Sequence, residues 1–330
     1  MKTVVIGSGS WGTALAQVLI DNKQECIIYG NDLDEVVDIH LYHQNSKYFP
    51  DVTLHPDLDA TKDIKVVEDC DIVVLSVPTI AIEEVCKEIS GFLKKKVIII
   101  NTSKGFHPTT HKRMSEVIRE TIPEEKLKGI VSLLGPSHAE EVVQRMLTVI
   151  NAVSDDEDLA KKVQHLFANE YFRVYYSTDV IGCEIAASIK NIIAIGSGIA
   201  AGLGLGDNAK AALMTRGLVE MKYYGMLHGA KESTFPGLSG IGDLIVTCTS
   251  KHSRNFQAGY QIGCADTANV FWENNIKTVE GVKTCEAVYL EAKKEGVEMP
   301  ITEAIYEVLY NNGIPSECVY NLMTRDLKRE

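Results

Sequence analysis

The sequence predicts an α/β chain: a mostly parallel sheet in the N-terminal half, followed by an all-helical domain. Three observations carry this. Short β-branched runs alternate with amphipathic stretches up to about Val180, which implies βαβ units. One run, Val97-Ile98-Ile99-Ile100, is apolar throughout, as a parallel strand covered on both faces should be. Beyond Val180 the β-rich runs give way to helix-like stretches.

Taken in order, the strand candidates are 3–6, 26–29, 72–77, 97–101, 130–134, 148–153 and 172–175. Helical patterns fall between them at 12–21, 34–43, 80–92, 112–121, 139–144 and 156–168. The second half reads as helices at 182–202, 209–227, 284–295 and 302–310, with Gly and Ser interrupting between Gly237 and Gly263. The expected domains are 1–180, binding a dinucleotide, and 181–330, binding a substrate. A chain of 330 residues is long enough for two cores.

A formal net charge of −12 argues against a nucleic-acid or anionic-membrane partner, since phosphate binding needs a basic surface. The basic run Lys94-Lys95-Lys96 reads as a solvated helix end. The eight cysteines are scattered, with no Cys-x-x-Cys pair, which suits reduced thiols in a cytoplasmic protein. No basic segment or cleavage site precedes the first strand, so no signal peptide is expected. The apolar runs fall short of the ~20 residues of a membrane span.

Gly7-Ser8-Gly9-Ser10-Trp11-Gly12 follows the first strand directly and opens a helix. Glycines are needed there for a tight turn, close approach to a pyrophosphate and helix–strand packing. The helix N-terminus then favours the negative phosphates. In this strand–turn–helix setting the motif makes the first domain Rossmann-type. The second strand ends at Tyr29-Gly30-Asn31-Asp32, where ribose recognition is expected. Asp32 fits a helix cap as well as a ribose contact. Asn31 is neutral and cannot offset a 2′-phosphate, so NAD is favoured over NADP. A second array, Gly202-Leu203-Gly204-Leu205-Gly206, follows a helix and reads as an interhelical loop.

Polar groups stand in apolar settings at three further segments. Asn101-Thr102-Ser103-Lys104-Gly105 and Gly135-Pro136-Ser137-His138-Ala139 each follow a strand, the edge at which α/β sheets bind ligands. Lys190, followed by Asn191, lies on an otherwise apolar helix. Between Gly240 and Asn255, Asp243 stands beside an apolar run and Ser253-Arg254-Asn255 offers donors to an anion.

These segments together resemble the bacterial NAD(P)-dependent glycerol-3-phosphate dehydrogenases. The resemblance rests on the turn from Gly7, Thr-Ser-Lys-Gly at Lys104, Gly-Pro-Ser-His-Ala-Glu-Glu from Gly135 and Ile-Lys-Asn at Lys190. It continues through Gly-Asp-Asn-Ala-Lys-Ala-Ala-Leu from Gly206, the stretch 240–255 and Val279-Glu280-Gly281. It implies reversible hydride transfer between NAD(P)H and dihydroxyacetone phosphate, giving sn-glycerol 3-phosphate for glycerophospholipid synthesis. In it Lys190 is the acid–base, with a pKa lowered by burial and a neighbouring cation. Asp243 orients Lys190, and Lys104 touches substrate and cofactor. Arg254, Ser253 and Asn255 hold the phosphate, with Asn191, Thr247, Gly135 and Ser137 in support. Ser10, Trp11, Asn31, Tyr48, Ala139, Arg254, Thr278 and Glu280 join the glycines and Lys104 at the cofactor; Thr278 shares a face with Glu280 if that segment is extended. A cytoplasmic homodimer formed through the helical domain is also implied.

Two positions depart from the family pattern: Asn31 where Arg is frequent, and Leu147 where Pro is common. The rivals are another two-domain β-hydroxyacid or ketopantoate-type dehydrogenase, and a catalytically silent dinucleotide sensor. The first would not require Ser253-Arg254-Asn255, and the second predicts loss of Lys190 or Asp243. No metal is expected, because Pro108 separates His107 from His111 and His40 with His43 lacks a third ligand.

Overall fold

The structure, a computed structural model, describes residues 1–274, 279–327 and 329. It divides into two compact units, Met1–His107 with Lys112–Val180, and Pro108–His111 with Ile181–Glu330.

In the first unit the strands are β1 (Thr3–Ile6), β2 (Cys26–Tyr29), β3 (Asp59–Thr61), β4 (Ile72–Leu75), β5 (Val97–Asn101), β6 (Leu127–Leu134), β7 (Thr148–Val153) and β8 (Phe172–Ser177). The helices are α1 (Ser10–Asp21), α2 (Leu33–Tyr42), α3 (Ile82–Phe92), α4 (Met114–Thr121), α5 (Ala139–Val142) and α6 (Glu157–Phe167). One eight-stranded sheet runs in the order β3-β2-β1-β4-β5-β6-β7-β8. All pairs are parallel except β6 with β7.

Pleating explains why the central strands are apolar at every position. Val5, Val74, Ile98 and Ile100 pack with α1 and α6 residues such as Leu15 and Val163. Their neighbours Val4, Val73, Val97 and Ile99 pack with Cys86 of α3 and Ile118 of α4 in a separate core. Both faces are thus covered, and each fully buried aliphatic side chain contributes about 1.5–3 kcal/mol. The sequence reading misses β3, whose Asp-Ala-Thr has no apolar run because it is an edge strand paired only with β2.

The second unit holds α7 (Val180–Gly202), α8 (Gly206–Leu227), α9 (Asp243–Thr249), α10 (Arg254–Ala265), α11 (Asn269–Asn274), α12 (Glu280–Glu295), α13 (Pro300–Tyr310) and α14 (Pro315–Met323). The glycine array after α7 is a short turn into α8. Two sequence expectations need correction here. The stretch between Gly237 and Gly263 is largely helical, comprising a π-helical turn at Leu238–Gly242, then α9 and α10. And α7, at 23 residues, is long and apolar enough to cross a membrane; its most apolar window is 83% buried inside the protein. Glu184, Ser188, Lys190 and Asn191 break the run in the sequence, while the helix continues through them.

The glycines of α7 and α10 are contact points. A Cβ on Gly198 would lie 2.1 Å from the Phe256 carbonyl oxygen, and one on Gly259 2.0 Å from that of Ile195. Gly202 and Gly263 repeat the relationship one turn on, at 2.4 Å and 2.3 Å from Tyr260 and Ile199 oxygens. Here α7 and α10 touch backbone to backbone, which fixes the start of α10 relative to Lys190. All eight cysteines are free thiols.

Candidate active site

In the glycine turn each glycine meets a different constraint. Gly7 has φ +116°, and a Cβ there would lie 2.3 Å from the Ser76 carbonyl oxygen. A Cβ on Gly12 would lie 2.0 Å from the Gly7 oxygen, whereas one on Gly9 would meet nothing within 4 Å. The space over Gly9 opens onto the N-terminus of α1, whose cap makes no side-chain hydrogen bond. Trp11 adds a buried indole N–H with no partner among the described residues. Uncapped N–H groups, a helix dipole and open space over a glycine fit a dinucleotide pyrophosphate.

The ribose is expected at the end of β2. Asn31 is exposed. Asp32 caps α2, accepting from the Asp34 and Glu35 amides at 3.0 and 3.4 Å, so of its two readings the structure displays the cap. Lys47 donates to Asp32 at 3.2 Å and to Glu35 at 2.6 Å, and the lysine hydrogen bond holds the exposed Asp32 carboxyl below its ordinary range. The Tyr48 hydroxyl donates to Glu35 at 3.3 Å, and burial raises the Tyr48 pKa. Glu35 also accepts from the Ser8 hydroxyl of the glycine turn. Sequence reasoning missed Glu35 and Lys47. Glu35 shares the buried face of α2 with Ile39, four residues on, and a carboxylate in that stripe was a usable signal.

The strand-end loops converge. Lys104 Nζ donates to the Gly135 carbonyl at 2.8 Å and lies 3.4 Å from the Ser137 hydroxyl. Beneath it the Ser103 amide donates to Asn101 Oδ1 at 3.1 Å and the Ser103 hydroxyl to the Val77 carbonyl at 2.6 Å. Gly135 has φ +140°, a conformation glycine adopts readily. Ala139 is buried at the first position of α5.

In the second unit Lys190 and Asp243 form an ion pair. Lys190 also donates to the Thr247 hydroxyl at 3.0 Å, and that hydroxyl donates to the Asp243 main-chain carbonyl at 2.6 Å. Lys190 is 4% and Asp243 1% exposed. Two influences on the lysine oppose one another. Burial favours the neutral amine, while a carboxylate in contact favours the ammonium. The sequence reading had a neighbouring cation acting with burial; the ion pair with Asp243 acts in the opposite sense and favours the ammonium.

The expected anion clamp is a helix N-terminus. Ser253 caps α10, accepting from the Phe256 amide at 3.2 Å. Asn255 is committed to structure: it donates to Asn191 Oδ1 at 3.0 Å and accepts from the Gly281 amide at 2.9 Å. Asn191 and Asn255 therefore brace each other. Arg254, the first residue of α10, is exposed and makes no side-chain hydrogen bond or ion pair among the described residues. It opens a helix whose first-turn N–H groups lack i−4 carbonyl partners, and an arginine at a helix N-terminus is suited to a phosphate.

Glu280 opens α12, so it lies on a helix and not on an extended segment. Thr278 lies outside the described residues. His40 pairs with Asp59, and His107 lies 3.4 Å from Glu83.

Comparison with known proteins agrees over both halves. Residues 2–160 match the N-terminal model of NAD-dependent glycerol-3-phosphate dehydrogenase, and residues 179–320 its C-terminal model. The chain is 51% identical to the glycerol-3-phosphate dehydrogenase [NAD(P)+] of Enterococcus faecalis, over 100% of this chain and 97% of the relative. It is 47% identical to that of Lysinibacillus sphaericus, over 100% and 98%. Among solved structures, the glycerol-3-phosphate dehydrogenase of Coxiella burnetii superposes with a TM-score of 0.91 at 32% identity, covering 98% of this chain and 99% of that one. The chain belongs to the NAD-dependent glycerol-3-phosphate dehydrogenase family.

Proposed function

We propose that the protein interconverts dihydroxyacetone phosphate and sn-glycerol 3-phosphate using a nicotinamide dinucleotide, with NADH preferred. The buried Lys190–Asp243 pair carries the reading, because carbonyl reduction needs a proton donor held in its charged form where water is excluded. A bound nicotinamide supplies the hydride to C2 in reduction and accepts it in oxidation.

The remaining work belongs to the chain. Lys190 gives its proton to the carbonyl oxygen as that oxygen gains charge, and takes it back in the reverse direction. Asp243 keeps Lys190 charged until transfer, and Thr247 fixes the direction of the ammonium. Arg254, with Ser253 and the start of α10, holds the substrate phosphate; Asn255 and Asn191 brace that end. Lys104, oriented by Gly135 and Ser137, stabilises the developing alkoxide. Ser10, Trp11, Asn31, Tyr48, Ala139, Arg254, Thr278 and Glu280 join Gly7, Gly9 and Gly12 at the coenzyme. The glycine turn of the first unit serves the dinucleotide, and the second unit supplies the proton donor and the phosphate clamp.

Family membership supports this activity over a ketopantoate-type reaction, and the presence of both Lys190 and Asp243 supports an enzyme over a silent sensor. The same reading sends the product to glycerophospholipid synthesis in the cytoplasm. It also assigns a homodimer through the helical unit, where α8 exposes Val219, Tyr223, Met226 and Leu227. The test is oxidation of NADH with dihydroxyacetone phosphate, compared with unphosphorylated dihydroxyacetone. Turnover that depends on the phosphate is expected, and no turnover with either ketone would overturn the reading.

A further inference from the structure

The ribose end of the dinucleotide site holds a charge arrangement that the proposed reaction does not use. Glu35 is 7% exposed, yet both of its carboxylate oxygens are occupied. One accepts from the Ser8 hydroxyl, the other from Lys47 at 2.6 Å and Tyr48 at 3.3 Å. Ser8 belongs to the glycine turn, and its carbonyl accepts from Asn45 at 2.8 Å and Thr13 at 3.2 Å. A Cβ on Gly30 would lie 2.6 Å from the Ser8 hydroxyl oxygen, so that glycine leaves room for the link. The turn and the end of β2 are therefore joined through one buried carboxylate.

Lys47 is the cation of this recess, and it is already claimed. Besides Glu35 it pairs with Asp32 at 3.2 Å. Asp32, Asp34, Glu35 and Asp38 line the same recess as Lys47, and two of these four carboxylates, Asp32 and Glu35, contact its ammonium. In a dinucleotide-binding sheet the acid beyond the second strand meets the ribose 2′-hydroxyl, and a 2′-phosphate needs a cation there. To reach a phosphate, Lys47 would have to strand a buried carboxylate, which is strongly unfavourable.

We propose that Glu35 sets coenzyme choice: by holding Lys47 as its own counter-ion it leaves the ribose end net negative, admitting a 2′-hydroxyl and rejecting a 2′-phosphate. The inference rests on the reading that the glycine turn binds a nicotinamide dinucleotide. It places discrimination in the Glu35–Lys47 lock, beyond the neutral Asn31. Glu35→Gln keeps an acceptor for Ser8 but removes the charge that holds Lys47, freeing the ammonium for a phosphate.

Binding of NADH and NADPH is read by coenzyme fluorescence without ketone, alongside the melting temperature. The wild type is expected to bind NADH at least about tenfold more tightly, and Glu35→Gln to shift the ratio toward NADPH by about tenfold. Adding Lys47→Ala to Glu35→Gln should abolish that gain. Asp32→Asn keeps a competent helix cap and should shift the ratio the same way by a smaller factor, which covers a Glu35→Gln that fails to fold. Equal or tighter NADPH binding by the wild type would overturn the inference. So would an unchanged ratio in folded Glu35→Gln, or in Asp32→Asn. NADH binding without turnover of dihydroxyacetone phosphate would end the proposed function and leave this inference intact.

Discussion

The ammonium of Lys190 rests against the carboxylate of Asp243, fifty-three residues further along the chain and on another helix, with both side chains buried. The pair has two roles that mutation can separate. Asp243→Asn removes the carboxylate that pairs with a buried ammonium, which costs roughly 3–5 kcal/mol of stability and about 100-fold or more in kcat. Replacing both, as Lys190→Met with Asp243→Leu, should restore most of the stability without the activity. Urea unfolding and steady-state kinetics on the two variants check this.

The Arg254 side chain makes no hydrogen bond or ion pair among the described residues, so its removal should be silent in stability. Arg254→Ala is expected to leave the melting temperature unchanged and raise KM for dihydroxyacetone phosphate about 10- to 100-fold, the worth of hydrogen bonds to a charged group. A smaller fall in kcat is expected if phosphate binding energy is used in the transition state.

The α7–α10 crossing makes a prediction about glycine. Gly259→Ala would drive a methyl group to 2.0 Å from the Ile195 carbonyl oxygen, and should cost at least about 1–3 kcal/mol. Gly91→Ala, in α3, meets nothing within 4 Å and should stabilise by about 0.5–1 kcal/mol. Denaturant midpoints of the two variants should move in opposite directions.

Glu220 gives the fold a pH dependence. It accepts from the Ile301 amide at 2.6 Å and from the Thr302 amide and hydroxyl, each at 3.2 Å, at the start of α13. Burial pushes its pKa from 4.5 up to about 7, against the lowering effect of those hydrogen bonds and of Arg216. A carboxyl raised on folding binds more protons in the native state, so its contribution is full below its unfolded pKa of 4.5 and lost as pH rises through about 7. The wild type should lose melting temperature over that window, and Glu220→Gln, which cannot ionise, should flatten the decline.

Much of this was legible in the sequence, for physical reasons that differ by residue. Strands such as Val97–Asn101 announce themselves because burial on both faces demands an apolar residue at each position. The glycine turn is readable because its constraints are local in sequence. By contrast α10 was hidden, because Gly259 and Gly263 read as breakers until α7 lies against them. Ser253 read as a phosphate donor, and it is also the cap that starts α10. Glu35 went unnoticed because its partners Ser8 and Lys47 lie 27 and 12 residues away, a relationship only the folded sheet creates.

The central claim is that Lys190 moves the proton while the dinucleotide is held elsewhere. It is tested most directly by kcat for NADH-dependent reduction of dihydroxyacetone phosphate in Lys190→Ala, with NADH affinity measured on the same protein. A fall of at least about 100-fold with NADH affinity unchanged is the expected result. A kcat near that of the wild type would contradict the account.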